Sequence, residues 1–186
     1  GKNVTVWPSV SGGTNWQHVS FSPKTSLLYV NTIHVGMTYE APEPPQLVPG
    51  KSSGPGTVKR TTVTDDPNVR GFLKAIDPMT GKSKWETPYK SPNFSAVMTT
   101  ASNLVFTGVM TGEFQALDAD TGKILWSFQT PSGIVGQPIA WEKDGKEYIT
   151  VISGIGGVYA QRAGDPNLVN VPAGASLWTF GLYEGK

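Results

Sequence analysis

Residues 71–85 read GFLKAIDPMTGKSKW, and residues 112–126 read GEFQALDADTGKILW. The glycine, alanine, aspartate, Thr-Gly-Lys and tryptophan positions recur at one constant offset of 41 residues. A period of about 40 residues with a strand–turn–strand texture is typical of β-propeller blades. The repeat therefore predicts an all-β fold built from successive similar sheets.

Each repeat is predicted to hold two short strands joined by a tight turn. Asp77 and Asp118 can accept hydrogen bonds from the backbone amides of that turn, as in Asx-turns. Gly81 and Gly122 supply the positive φ that such a turn needs without steric cost. A calcium loop at Asp118 is disfavoured, because the distal glutamate that completes such a loop is missing.

The two tryptophans stand at the same distance after their turns. A buried indole contributes a large apolar area and one N–H that needs an acceptor. Ala75 and Ala116 are small, which leaves room for the ring of a tryptophan from a neighbouring repeat. We therefore expect Trp85 and Trp126 to act as tryptophan-docking motifs that staple one blade to the next.

The chain has 186 residues, which is about four and a half repeats of this length. We predict a partial β-propeller of about four blades, each a four-stranded antiparallel sheet. The 22 glycines and 15 prolines suit many short strands joined by turns. Outside the two repeats, strands are expected over residues 17–21, 27–32, 96–101, 104–107, 139–142, 147–152 and 176–182.

Residues 40–68 are rich in proline, glycine, serine and threonine and have few apolar side chains. They are interpreted as a long surface loop inserted into the propeller segment that otherwise fills residues 1–186. Asp65 and Asp66 lie in this loop and are expected to be solvated charges.

Composition excludes several classes of function. Fifteen basic and 14 acidic residues give a net charge of +1 without segregation of either sign, which argues against a nucleic-acid surface. No apolar run approaches the length of a membrane span. The chain has no cysteine, so thiolate metal sites and cysteine nucleophiles are excluded. His18 and His34 are too few and too badly spaced to predict a metal site.

Two glycine-rich segments are candidates for ligand contact. In GGTNW, residues 12–16, a glycine turn presents an amide and an indole, which suit a planar ligand rich in carbonyl groups. In GIGG, residues 154–157, the glycines allow close approach of backbone to a flat ligand. A dinucleotide site is disfavoured at the second segment because no helix is predicted directly after it.

Taken together, these segments resemble the carboxy-terminal part of the quinoprotein alcohol dehydrogenases, the methanol and ethanol dehydrogenase group that uses pyrroloquinoline quinone (PQQ). The resemblance extends over nearly the whole chain apart from residues 40–68 and the tail. Its matching pieces are GGTNW (12–16), FSPKTSLLYV (21–30), the two tryptophan repeats, TASNLVFTG (100–108), FQTPSGIVG (128–136) and YITVISGIGG (148–157).

The resemblance implies that Asn15 hydrogen-bonds an oxygen of the quinone, with Trp16 as its packing neighbour. It places Phe94 near the cofactor plane, where the family usually has tryptophan, and Gly156 and Gly157 close to the ligand. A tryptophan commonly follows these glycines in the family, whereas this sequence has Val158. These residues are the candidate cofactor-binding set, and no catalytic or metal-ligating residue is assigned.

The resemblance further implies an eight-bladed, periplasmic parent protein that oxidises primary alcohols and passes electrons to a cytochrome. The family's catalytic aspartate and its calcium or lanthanide ligands come from earlier blades, so this segment is expected to be inactive alone. Its partners would be the remaining blades, or a second copy paired through exposed blade edges. The alternative is a non-catalytic propeller scaffold of the same superfamily that has lost the cofactor.

Overall fold

A computed structural model of the chain describes residues 3–40, 49–50, 59–156 and 164–182. Apart from one short 3-10 turn at Pro166–Leu168, the regular structure in these ranges is β. The strands are β1 (Val4–Val6), β2 (Ser20–Ser22), β3 (Leu27–Ile33), β4 (Gly36–Glu40), β5 (Lys59–Val63), β6 (Gly71–Ile76), β7 (Ser83–Tyr89), β8 (Val97–Thr99), β9 (Leu104–Gly108), β10 (Glu113–Asp118), β11 (Ile124–Gln129), β12 (Ile139–Lys143), β13 (Lys146–Ser153) and β14 (Ser176–Gly181). The all-β prediction is confirmed.

The strands form four antiparallel sheets. The first blade has the order β2-β3-β6-β7, the second β8-β9-β10-β11, and the third β12-β13-β14. The fourth sheet has the order β1-β4-β5; its strands β4 and β5 are inserted between β3 and β6 of the first blade, and β1 comes from the segment before β2. The expected strand over residues 17–21 begins later, at Ser20, because Gln17 and His18 bond to neighbouring segments instead of a ladder.

The inserted sheet corrects the prediction of a surface loop over residues 40–68. Lys59–Val63 forms β5 and pairs in register with Gly36–Glu40 of β4, so this part of the segment is a hairpin arm. The threonines and valine of β5 favour a strand, although their surroundings in sequence are rich in turn formers. Residues 41–48 and 51–58, which carry the rest of that prediction, lie outside the described residues.

The turns of the two repeats have the predicted chemistry. The carboxylates of Asp77 and Asp118 accept backbone N–H bonds from the residues two positions later, at 2.8 and 3.1 Å. For Asp77 the backbone bond, and for Asp118 the hydroxyl bond from Thr121, contributes most to lowering the carboxyl pKa. Gly81 and Gly122 have φ of +70° and +71°, the left-handed conformation that favours glycine.

The indole of Trp85 joins the first blade to the second. Its N–H donates to the carbonyl oxygen of Ala119 at 3.0 Å, and the hydroxyl of Tyr29 donates to the same oxygen at 2.9 Å. The ring also lies directly over Gly122, where an added Cβ would come within 2.5 Å of it. Trp85 pairs across the sheet with Ala75 of its own blade, so the ring docks on the next turn rather than on the next alanine.

Trp126 occupies the corresponding place in the second blade, opposite Ala116. Its side chain is 40% exposed, and its ring contacts Phe180 of the third blade at a centroid distance of 5.1 Å. Among the described residues, no hydrogen-bond acceptor lies against its N–H. The two equivalent indoles therefore have different surroundings.

Three hydrophobic clusters pack the blades together. One lies between the first and second blades around Tyr29, Leu73 and Leu117, and another lies between the second and third around Phe114 and Val151. The third cluster lies at one end of the blades, where their connecting segments meet. It contains Ile33, Val35, Phe94, Met110, Ile155 and Leu168.

Candidate functional site

The candidate residues converge at the end of the blades that holds this third cluster. The GGTNW segment is tied to the end of β3 by the bond from Ile33 N–H to the Gly13 carbonyl, at 2.8 Å. Two residues after this segment, the His18 carbonyl accepts a bond from Val97 N–H at 3.0 Å, which attaches the same stretch of chain to the start of β8. The segment after β13 is held by the bond from Gly154 N–H to Gly133, so all three blades contribute here.

The Asn15–Trp16 turn presents an indole to solvent. Gly12 has φ of +75°, and the turn closes through the Asn15 side chain, whose Nδ2 donates to the Ser11 carbonyl at 2.9 Å. The Asn15 Oδ1 accepts the Trp16 backbone N–H at 2.9 Å, and the Trp16 side chain is 59% exposed. The Asn15 amide carries two N–H groups, of which this turn uses one.

Phe94 lies behind Trp16. The two ring centroids are 6.3 Å apart with an interplanar angle of 44°. Phe94 is only 5% exposed and packs with Ile33, Met110 and Ile155 in the third cluster. The structure thus brings Phe94 and Trp16 together, and it gives Phe94 a supporting position rather than an exposed face.

The end of the third blade reaches the same cluster through Ile155. The Ile155 N–H donates to the Ser132 hydroxyl at 3.0 Å, which fixes the backbone just before Gly156. Gly156 has φ of +67°, and a Cβ added to it would meet no described residue within 4 Å. Gly157 and Val158 lie outside the described residues.

Sequence reasoning missed a set of buried amides and hydroxyls beneath this surface. Gln17, Asn31, Asn93, Ser95 and Thr107 are all buried and linked by hydrogen bonds. One signal was available, because Asn31 interrupts an otherwise apolar inward-facing row of β3.

A buried ion pair lies next to the third cluster. The Asp165 carboxylate is fully buried at 3.8 Å from Nε of Arg70, and it accepts two bonds from Asn167. Asn167 also donates to the Lys90 carbonyl at 3.2 Å, so the segment after β13 is attached to the first blade. Leu168 of the same segment is fully buried in the cluster with Phe94.

The two histidines do not form a site with these residues. His34 contacts Asp65 at 3.1 Å and lies between the rings of Trp7 and Phe72. The hydrogen bond from His34 is the main cause of a lowered pKa of the Asp65 carboxyl. Asp65 is solvent-exposed, as expected for a solvated charge, and it also pairs with His34, which the sequence did not predict.

The described residues at this end fit the edge of a flat, carbonyl-rich ligand. An exposed indole offers a stacking face, a spare amide N–H offers a donor, and the open surface at Gly156 offers room. Within the part of the chain that the structure describes, no group of three or more histidine, cysteine, aspartate or glutamate side chains could hold a metal ion. No helix in that part is long and apolar enough to cross a membrane.

Comparison with known protein families gives one match that coincides with the repeats. Residues 68–149 match the model of the family described as PQQ, glucose/ethanol/alcohol dehydrogenase, beta-propeller domain. These residues run from the start of the first repeat into the third blade.

Known proteins extend the similarity to nearly the whole chain. A quinoprotein ethanol dehydrogenase from Pseudomonas aeruginosa is 42% identical over 98% of this chain, which corresponds to 29% of that protein. A lanthanide-dependent methanol dehydrogenase from Methylorubrum extorquens is 37% identical over 82% of this chain and 25% of that protein. The solved structure of a europium-containing methanol dehydrogenase superposes with a TM-score of 0.84 at 30% identity, over 98% of this chain and 35% of the other.

These comparisons confirm the partial β-propeller. The chain spans about a third or less of the length of each of these proteins. Two blades of four strands and one of three therefore correspond to part of a larger ring.

Proposed function

This chain is a quinoprotein alcohol dehydrogenase-like β-propeller segment, and from that premise we propose that it forms one wall of a PQQ site in a longer enzyme that oxidises primary alcohols. The observation that carries the proposal is the Asn15–Trp16 turn. It places an exposed indole, and an amide of which one N–H has no partner among the described residues, on the surface where the ends of three blades meet.

Each candidate residue has a distinct part in holding the cofactor. Asn15 would donate its free amide N–H to a quinone oxygen, and Trp16 would stack against the ring system. Phe94 would hold the indole of Trp16 in place from behind. Gly156, with Gly157 after it, would leave space for the cofactor edge.

When bound, PQQ would accept the two electrons and two protons that a primary alcohol loses on oxidation to an aldehyde. The described residues at this end offer no carboxylate placed to take the alcohol proton, since Asp165 is buried against Arg70 and Asn167. The base, and the calcium or lanthanide ion that polarises the quinone carbonyl, would come from other blades. This segment therefore binds and orients, and we expect no turnover from it alone.

The proposal extends to the rest of the parent protein and to its partners. The parent would be an eight-bladed, periplasmic protein in which the remaining blades cover the free edge of β14 and the exposed side chain of Leu177. A cytochrome would receive the electrons. A second copy of the chain is the other candidate for the β14 edge, because unpaired strands recruit partners.

A second function is favoured by two observations. Phe94 is buried instead of facing a ligand, and the Asn15 side chain is already bonded to its own turn. A non-catalytic propeller scaffold of the same superfamily would show both features. In that case the surface at Trp16 would bind no quinone.

Titration of the full-length protein with PQQ, with calcium or a lanthanide present, separates the two functions. The enzyme proposal predicts saturable binding together with dye-linked oxidation of short primary alcohols. It also predicts that Asn15→Ala raises the Kd for PQQ about tenfold, the worth of one hydrogen bond in a desolvated site. Asn68→Ala, an exposed asparagine in another part of the first blade, is the matched control. Absence of binding and turnover would favour the scaffold.

A further inference from the structure

A buried chain of side-chain amides runs from the Asn15 turn to the backbone on both sides of Phe94. It begins at Gln17, whose Oε1 accepts the Asn15 backbone N–H at 3.0 Å. The Nε2 of Gln17 donates to the Asn93 carbonyl at 3.1 Å. Gln17 therefore bonds to one candidate cofactor-binding residue, Asn15, and to Asn93, which precedes a second candidate, Phe94.

The hydrogen-bonded network of amides continues from Asn93, before the second blade, to Asn31 in the first blade. Asn93 Nδ2 donates to Oδ1 of Asn31 at 3.2 Å, and Asn31 Nδ2 donates to the Ser95 carbonyl and to Thr107 Oγ1 at 2.7 and 2.8 Å. Ser95 Oγ in turn donates to the Gly136 carbonyl at 3.0 Å, which reaches the segment before the third blade. One connected set of bonds thus links all three blades.

Burial makes this network specific. Gln17 is 4% exposed, Asn31 is 1% exposed, and both Asn93 and Ser95 are fully buried. A buried amide that loses a partner retains its desolvation cost, so each bond restricts the alternatives for its neighbours. The surface above differs, since Asn15 and Trp16 are solvent-exposed.

We propose that Gln17 is a positioning residue of the cofactor wall, which sets the Asn15–Trp16 turn relative to Phe94 through its two hydrogen bonds. This inference rests on the proposed PQQ site. Gln17 acts through Asn15 and Asn93 and does not itself touch the ligand. The Asn31–Asn93–Ser95 bonds hold the fixed frame to which Gln17 attaches the turn.

The chain offers a matched control in Gln115. It is also a buried glutamine, at 8% exposure, and its Oε1 accepts the hydroxyl of Tyr89 at 2.9 Å. It lies on β10, in the middle of the second blade, and its described hydrogen bond goes to Tyr89 of the first blade. Gln17→Met and Gln115→Met each remove a buried amide of the same size, and only the first removes one that meets the site.

The test uses the full-length protein, with PQQ itself as the probe and calcium present. Gln17→Met should raise the Kd for PQQ about tenfold, because the bond to Asn15 no longer fixes the turn. Gln115→Met should leave the Kd for PQQ within about twofold of the wild-type value. It should lower the unfolding midpoint by about as much as Gln17→Met does, because both variants lose a buried amide. Equal PQQ affinities in the two variants, with wild type binding normally, would overturn the positioning role of Gln17.

The result also separates this inference from the proposed function. If wild type binds no PQQ, the proposed function fails first and the inference falls with it. If wild type binds and only Gln17→Met binds weakly, both stand. Should Gln17→Met not fold, Gln17→Asn against Gln115→Asn gives the same comparison, since the shorter amide cannot reach both of its partners. An unchanged PQQ affinity in Gln17→Asn would again count against the role.

Discussion

Trp85 and Trp126 occupy the same position of the same repeat, and the structure treats them differently. Trp85 bonds to the Ala119 carbonyl and covers Gly122, whereas Trp126 is 40% exposed and contacts Phe180. Each tryptophan stands opposite an alanine of its own blade, so the local sequence does not explain the contrast. The difference arises because the docking surface is supplied by the neighbouring blade.

The comparison extends to the turns that receive an indole. A Cβ on Gly122 would collide with Trp85, while a Cβ on Gly81 would meet none of the residues that the structure describes within 4 Å. A cavity of about 500 Å³ lies beside the first turn, lined by residues that include Leu27, Met79 and Lys82. Among the described residues, the first repeat thus has a docked indole and no ring over its own turn, and the second repeat has the reverse.

Removal of each indole should show this contrast most strongly. Trp85→Ala loses both the hydrogen bond and the inter-blade packing, and should lower the free energy of unfolding by about 3 kcal/mol. Trp126→Ala should cost less, about 1–2 kcal/mol, because 40% of its surface is already exposed and its described ring contacts are with phenylalanine side chains. Denaturant unfolding of the full-length protein measures both, and equal losses would show that the two indoles contribute alike in the complete ring.

A methyl group on each receiving turn gives the next largest effect. Gly122→Ala places a Cβ 2.5 Å from the Trp85 ring at φ of +71°, and should destabilise the protein by about 3 kcal/mol from overpacking and backbone strain. Gly81→Ala carries only the backbone strain, about 1 kcal/mol. The same unfolding experiment applies, and a Gly81→Ala cost as large as that of Gly122→Ala would mean that the first turn is also covered.

The indole N–H can be isolated from the ring. Trp85→Phe keeps an aromatic ring over Gly122 but leaves the Ala119 carbonyl with Tyr29 as its remaining donor, so we expect a loss of about 1 kcal/mol. Trp126→Phe should change the free energy of unfolding by less than about 0.5 kcal/mol. Equal free energies of unfolding for Trp85→Phe and wild type would show that this hydrogen bond does not stabilise the protein.

Acid should weaken the turns slightly. The folded pKa values of Asp77 and Asp118 lie below the ordinary value of 3.8, so both groups bind protons more weakly when folded. Their contribution to stability is present at neutral pH and is lost as the pH falls below about 4 and through the lowered folded values. Asp118→Ala should lose less stability between pH 6 and pH 3 than wild type. An unchanged acid dependence would contradict the link.

The sequence allowed the parts of the fold that depend on local chemistry to be predicted. The repeat turn at Asp77 and Gly81 formed as expected from its residue types. The hairpin turn at Asp144 and Gly145 also formed as expected, and both of its residues have positive φ. The inserted sheet was missed because β5 lies in a segment dominated by turn formers. Its partner strand, β4, is separated from it by residues 41–58 of the sequence. Long-range pairing of that kind leaves little trace in local composition.

The sequence pointed to the exposed turn at Asn15 and Trp16 as a candidate site, and it gave little sign of the buried residues that support this turn. Asn15 and Trp16 stand out because an amide and an indole follow a glycine turn. Phe94 was expected beside the ligand, and its burial depends on packing from three blades that no local pattern reveals. Gln17 and Asp165 were missed for the same reason, since their partners lie 76 and 95 positions away along the chain, at Asn93 and Arg70.

Two exposed tryptophans allow the most direct test of the cofactor wall. Trp16 is 59% exposed at the candidate site, and Trp126 is 40% exposed at the outer part of the second blade. Replacement of each by alanine in the full-length protein, followed by PQQ titration, compares two similar losses of surface indole. We predict a Kd raised about tenfold or more for Trp16→Ala and unchanged for Trp126→Ala. Equal PQQ affinity in both variants would contradict the assignment of this surface to the quinone.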